Sequence, residues 1–377
     1  MKVKQIPIHS RSTKFDIHAN FVEHNDTLTG WISYNANIFK PSTIRRFVNH
    51  FFNILMFISS ANKSGCNFRL ELPKKMNYDQ TVIEKFEDCA SLHPDKPALK
   101  YGTNVLTYGE LNRRANQLAR YLIENVPTPG RIGIYMDSSV EMVISIIAAM
   151  KLGIAYIPLD PDMNFNRFKT IRVKAELSSI LTTGNHWANW EDINITLIVL
   201  DEIEEKLVFI DGGNLLHTPD MDDEAYIIFT SGSTGESKGV IIGHAQLQKY
   251  VFEVTQRLKL NECNQFAMLT SFYSDLGLTM FYPALCSGAC IHVLSKEMVI
   301  DVEQFATYLQ HNQIDCYKIV PSHFKALSYR FDPVKLLPRK KLIFGGETLE
   351  WELIERIGPT HGCELYNHYG PAECTVG

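Results

Sequence analysis

Residues Ala225 to Val240 read AYIIFTSGSTGESKGV, and the fold is decided here. The apolar run from Tyr226 to Phe229 has the length and composition of a buried strand. It breaks into Thr230, Ser231, Gly232, Ser233, Thr234 and Gly235, closed by Lys238 and Gly239. Glycines let a backbone approach a ligand, hydroxyls donate hydrogen bonds, and a lysine adds a positive point charge. The combination suits an anionic ligand such as the phosphates of ATP. It is not a P-loop, which requires glycine directly before the lysine. Here Ser237 precedes Lys238 and Gly239 follows it. A flexible Gly/Ser linker would explain the composition. It would not explain the strand before it or the apolar Val240-Ile241-Ile242 after it.

Outward from that stretch, the chain has 377 residues, enough for two or three domains and a large core. Apolar content of 45% and charged content of 21% are globular values. A net charge of -5 gives no reason to expect nucleic acid or an anionic membrane as partner. The apolar run Phe51 to Ser59 is too short to span a bilayer, and nothing at Met1 reads as a secretory signal. The eight cysteines are scattered without a C-x-x-C pair, which points to reduced, buried thiols in a cytosolic protein rather than a zinc site.

Residues 1–62 read as a separate piece. Phe15, Ile17, Ala19 and Phe21 alternate, as do Leu28, Ile32 and Tyr34 after a turn at Asn25-Asp26, so an antiparallel hairpin is expected. Pro41-Ser42-Thr43 then opens a helix with Ile44, Phe47, Val48, Phe51 and Leu55 on one face. Residues 63–77 read as a linker, and residues 78–377 as an α/β unit. In the latter, Leu111, Ala115, Leu118 and Leu122 form one helical face. Arg131 to Met136 reads as a strand, Glu141 to Lys151 as a buried helix, and Ser178 to Thr182 and Ile195 to Leu200 as short strands. Such alternation predicts helices covering mostly parallel sheets.

Two charges stand out against apolar surroundings. Asp275 lies within the run Phe272 to Leu285, where a helix N-cap and a ligand contact are both compatible with the residue. Lys318 sits in the strand-like run Cys316 to Pro321, where it must find a partner or snorkel to solvent.

Four motifs in order carry a resemblance. Leu106-Thr107-Tyr108-Gly109-Glu110-Leu111, Met150 to Asp160, Thr230 to Gly239, and Asn367-His368-Tyr369-Gly370-Pro371-Ala372-Glu373 resemble core motifs of adenylate-forming, AMP-binding enzymes. The pattern is most similar to adenylation domains of nonribosomal peptide synthetases. Ser237 stands where proline is usual, and Ala372 where threonine is usual. The fold implied is the layered α/β large subdomain of that family, incomplete, behind a small α+β piece. That piece resembles the C-terminal end of a condensation domain at Gly30 to Asn35 and in its helix, without a condensation active-site motif.

The resemblance implies roles. Thr230, Ser231, Gly232, Ser233, Thr234, Gly235 and Lys238 would cradle the ATP phosphates, Glu373 would hold Mg²⁺, and Tyr369 would stack on adenine. Asn367 would meet the base edge, with Gly345, Gly346 and Glu347 alongside. Asp275 would take the α-amino group of an amino acid. Leu276, Thr279, Lys318, Ile343, Gly345, His368, Val376 and Gly377 would line its side-chain pocket. A lysine and a histidine, two potential cations among apolar walls, suit a short acidic side chain. L-aspartate is therefore the expected substrate, with asparagine and β-methylaspartate left open. The implied partners are a peptidyl carrier protein bearing phosphopantetheine and a condensation domain. Other adenylation domains continue past the point corresponding to Gly377 into a mobile subdomain. A polypeptide ending there is expected to form adenylate slowly or not at all. Activation of another carboxylic acid, as in acyl-CoA synthetases, and a non-catalytic remnant are the alternatives.

Overall fold

A computed structural model describes residues 17–24, 27–34, 39, 43–44, 47–48, 51, 80–126, 130–184, 195–216, 218–231, 237–360 and 362–376. The chain divides into two compact units, Met1–Met76 and Asn77–Gly377. In the first unit, β1 (Ile17–His24) and β2 (Thr27–Tyr34) pair antiparallel from Ile17↔Tyr34 to His24↔Thr27. The predicted hairpin pairing is therefore present, while Asn25 and Asp26 lie outside the described residues. Thr43, Ile44, Phe47, Val48 and Phe51 are helical, with Ile44 buried and Phe47 46% exposed. Leu55 and the linker expected over 63–77 lie outside the described residues.

The second unit is built on two sheets. Its strands are β3 (Pro97–Tyr101), β4 (Asn104–Thr107), β5 (Arg131–Tyr135), β6 (Tyr156–Leu159), β7 (Leu177–Thr182) and β8 (Thr196–Val199). They continue with β9 (Glu224–Ser231), β10 (Ser237–Gly243), β11 (Gln265–Met268) and β12 (Cys290–Val293), then β13 (Cys316–Ile319), β14 (Lys341–Gly345) and β15 (Glu364–His368). One sheet runs β10-β9-β6-β5-β7-β8, and the other β15-β14-β13-β11-β12-β3-β4. All pairings are parallel except β10 with β9 and β3 with β4, one edge of each sheet. Parallel strands are covered on both faces and read as continuous apolar runs, which is why Arg131 to Met136 could be recognised.

The second sheet separates two cores. Leu342 and Phe344 of β14 join Tyr317 and Ile319 on one face, while Ile343 joins Cys316 on the other. That is the period of two expected of a strand. The helix Leu278–Cys286 packs on the second face and is buried from Leu278 through Leu285. A helix apolar on all sides belongs in a core.

The first two motifs have structural explanations. Thr107 caps the helix Tyr108–Asn125 in a reciprocal box with Glu110, satisfying two backbone donors. The Tyr108 hydroxyl reaches the carbonyl of Ala289 at 2.8 Å. A Cβ at Gly109 would lie 3.1 Å from the Pro94 carbonyl oxygen, so the residue there has to be small. In the second motif, Lys151 is buried and paired with Glu87. Gly153 takes φ +65° just after the helix Val140–Lys151, the left-handed stop that favours glycine, and the chain turns into β6. Replacing Thr107 with alanine is expected to lower the unfolding free energy by about 1 kcal/mol in urea titrations. An unchanged midpoint would mean the cap contributes nothing.

Candidate functional site

The signature stretch folds as a hairpin. β9 extends through Ser231 and β10 starts at Ser237, with Ser231↔Ser237 and Thr230↔Lys238 in register. Thr230, Lys238 and Gly239 are thus strand residues, not loop residues as their composition suggested. The cause is antiparallel pairing that continues past the apolar run. Gly232, Ser233, Thr234 and Gly235 lie outside the described residues. Gly239 also has a packing reason: a Cβ there would sit 3.0 Å from the Phe229 ring. Lys238 is exposed and Thr230 half-buried. The short turn Ala372–Cys374 packs against β10, which brings the exposed Glu373 to the same edge as Lys238.

A cluster of polar side chains lies at the carboxyl ends of β13, β14 and β15. Ligands of open α/β sheets bind at such ends. Lys318 pairs in register with Ile343, and Gly345 with His368. Lys318 is only 3% exposed, so it does not snorkel to solvent. Its ammonium donates to Thr279 Oγ1 at 2.9 Å and meets His368 Nδ1 at 2.8 Å. Thr279 is fully buried on the helix Leu278–Cys286, and Ile343 is fully buried on β14. A Cβ on Gly345 would lie 2.7 Å from Lys318 Cε and 2.9 Å from the His368 carbonyl oxygen, so only glycine leaves the lysine its path. Leu276 closes the wall beside Gly345 and Gly346. Val376 is buried at φ +64°, while Gly377 lies outside the described residues.

Asp275 is not a helix cap. Ser274 caps the short turn Asp275–Gly277, accepting from the Leu276 amide, and the following helix has no side-chain cap. Asp275 is half-buried at the head of the segment that carries Thr279. Burial raises its carboxyl above the usual range, and the Lys318 ammonium opposes that rise. The nearby Glu373 carboxylate raises it further. Burial in turn pushes Lys318 down to about 8, against the pull of Asp275.

The two potential cations, Lys318 and His368, share one hydrogen bond. An ammonium that donates to His368 Nδ1 requires that nitrogen as acceptor, hence a neutral imidazole. The 2.8 Å contact therefore leaves one positive charge on the pair.

On the neighbouring side, Tyr369 is 90% exposed and Asn367 is exposed. Glu347 is engaged elsewhere, accepting from the Ser322 amide at 3.0 Å and from its hydroxyl at 2.8 Å. It holds the start of the helix Pro321–Leu327. One pocket residue was missed in the sequence. Tyr250, on the helix His244–Arg257, shares a 2.8 Å hydrogen bond with Thr279 Oγ1, and its ring centroid is 6.1 Å from that of His368. Nothing local marks it, because an aromatic on an amphipathic helix is ordinarily a core residue.

Two sheets, with an anion-suited hairpin at the edge of one and a buried polar cluster at the strand ends of the other, define the class. The chain belongs to the AMP-binding enzyme family, whose model matches residues 86–377. It is similar to bacitracin synthase 3 of Bacillus licheniformis, 32% identical over 387 residues that cover 97% of this chain and 6% of the relative. It is also similar to surfactin synthase subunit 2 of Bacillus subtilis (strain 168), 29% identical over 411 residues, 100% of this chain and 11% of that relative. The chain thus spans only a small part of the length of these relatives. Among solved structures, the nonribosomal peptide synthetase FmoA3 matches with a TM-score of 0.70 at 22% identity, covering 78% of this chain and 32% of that one. VinN in complex with L-aspartate matches with a TM-score of 0.67 at 18% identity, covering 76% of each chain. These two likenesses establish the fold. Among the described residues, no helix is long and apolar enough to cross a membrane.

The lysine has a pH signature. An unfolded lysine keeps its proton to about 10.4, whereas folded Lys318 releases it near about 8. Between those values the unfolded chain binds more protons, so stability rises with pH. Urea unfolding should show the wild type gaining of order 2 kcal/mol on Lys318→Met across that window. Parallel pH profiles for the two proteins would contradict the buried charge.

Proposed function

We propose that this chain activates an amino acid with ATP, forming aminoacyl adenylate and pyrophosphate, and that the amino acid is L-aspartate. The observation that carries the reading is the buried Lys318 ammonium within electrostatic reach of the half-buried Asp275 carboxyl. Asp275 suits a substrate ammonium group, and Lys318 suits a carboxylate on a short side chain. Lys318 is held by Thr279 and His368, and the nearby Leu276 and Ile343 are buried. One charge shared across the Lys318–His368 hydrogen bond matches a single substrate carboxylate.

In the reaction, an α-carboxylate oxygen attacks the α-phosphorus of ATP. The new O–P bond forms as the bond to the bridging oxygen breaks, and that oxygen leaves on pyrophosphate. The phosphopantetheine thiol of a carrier protein then takes the aminoacyl group, releasing AMP. Neither step needs a covalent enzyme intermediate. The chain contributes position and charge. Thr230, Ser231, Lys238 and the segment Gly232-Ser233-Thr234-Gly235 would hold the β- and γ-phosphates through hydroxyl, backbone and ammonium donors. Tyr369, with its ring largely in solvent, offers a stacking face for adenine, beside Asn367, Gly345 and Gly346. Glu347 is assigned to the support of the helix Pro321–Leu327 rather than to the base.

Mg²⁺ usually binds through one or two carboxylates plus substrate phosphates. Glu373, exposed on the turn beside β10, fits that mode. No cage of three or more His, Cys, Asp or Glu residues exists among the described residues. When bound, the ion would neutralise charge on the phosphate oxygens. The partners that fit the reading are a peptidyl carrier protein and a condensation domain, with residues 1–62 as the end of such a domain. Asp275 weighs against simple carboxylic acids, which bring no ammonium group to pair with it.

The test is ATP–pyrophosphate exchange across the twenty amino acids, by the purified protein and by a version extended through the mobile subdomain, the extended version being the one that decides. Exchange that depends on aspartate is expected. A preference for asparagine or a neutral amino acid would overturn the substrate assignment. Exchange with no amino acid, by protein shown to be folded, would overturn the activity.

A further inference from the structure

The hydrogen-bond inventory of the pocket leaves two donors without an acceptor. Lys318 carries three N–H bonds. One goes to Thr279 Oγ1 and one to His368 Nδ1, so one remains. Thr279 and Tyr250 each carry one hydroxyl proton and share a single hydrogen bond of 2.8 Å, in which either can donate. Whichever donates, the proton of the other is left over. Among the described residues, neither hydroxyl has a further partner. Thr279 is fully buried and Lys318 nearly so, and donors left unpaired in such a place cost free energy.

We propose that Tyr250 is a further specificity-determining residue, and that the Tyr250–Thr279 pair presents its spare hydroxyl proton, beside the third ammonium proton of Lys318, to a side-chain carboxylate. This rests on the reading that the pocket takes aspartate. A carboxylate brings two acceptor oxygens for two donors. A carboxamide brings one acceptor, and its NH₂ group would face an N–H or O–H. The pocket thereby rejects asparagine by mismatch as well as by charge. The Tyr250 ring, inclined at 35° to that of His368, walls the same end of the pocket.

The pair has a consequence that a lone hydroxyl would not have. Removing either hydroxyl leaves the other with its own proton but without the partner that orients it, so a single variant keeps one donor, less well aimed. Only the double variant loses it. Calorimetric titration with aspartyl- and asparaginyl-sulfamoyl adenosine, stable mimics of the two adenylates, reads this directly. The proteins are the wild type, Tyr250→Phe, Thr279→Val and the double variant. Tyr250→Phe is expected to reduce the aspartyl-to-asparaginyl preference less than tenfold. The double variant should reduce it by more than the product of the two single effects. An unchanged preference in Tyr250→Phe, or a double variant no worse than that product, overturns the role of Tyr250. The Tyr250→Phe arm stands alone if the double variant does not fold. A wild type that prefers the asparaginyl mimic instead overturns the aspartate reading itself, so the two failures are distinguishable.

Discussion

The buried ammonium of Lys318 is the constraint on which the site depends. A charge with 3% exposure cannot be left to itself in a protein interior. Here it is met by a threonine hydroxyl, a histidine nitrogen and the field of Asp275. Each partner comes from a different element: the helix Leu278–Cys286, β15 and the turn before that helix. Registration of β13 with β14, and of β14 with β15, sets the lysine beside the histidine. Gly345 between them leaves room for the lysine stem. Burial lowers the lysine towards about 8, so its charge is conditional, and an incoming carboxylate would favour the charged form.

The second requirement is that the two sheets meet at the right edges. β10 ends one sheet and β15 ends the other. The turn Ala372–Cys374 follows β15 and packs on β10, joining the hairpin with Lys238 to the side of the pocket where Glu373 lies. An adenylating site needs a place for triphosphate and a place for amino acid within one bond length of reaction. The motifs around Thr107 and Gly153 support this from a distance. They cap a helix, stop another and lead into β6.

Much of this was legible in the sequence because parallel strands announce themselves as apolar runs. Arg131 to Tyr135, Leu177 to Thr182 and the helix Val140–Lys151 stood within a residue or two of their expected bounds. Lys318 was visible as a charge inside such a run. What escaped were facts of register and distance. Thr230 and Lys238 read as loop by composition, but pairing with each other makes them strand. His368 read as a potential cation, and its 2.8 Å contact with a residue fifty positions away was invisible in the sequence. Tyr250 left no trace, because its role comes from one hydroxyl contact across two packed helices. The N-cap alternative for Asp275 fell only when Ser274 was found in that place.

The most direct measurement is the proton uptake that accompanies aspartate binding. Titration calorimetry in buffers of different ionisation enthalpy, at a pH just above about 8, counts it for the wild type and for Lys318→Met. The account predicts that the wild type takes up a larger fraction of a proton than the variant, because the substrate carboxylate restores the charge on Lys318. Equal uptake by the two proteins, with aspartate bound as tightly by the variant, would contradict it.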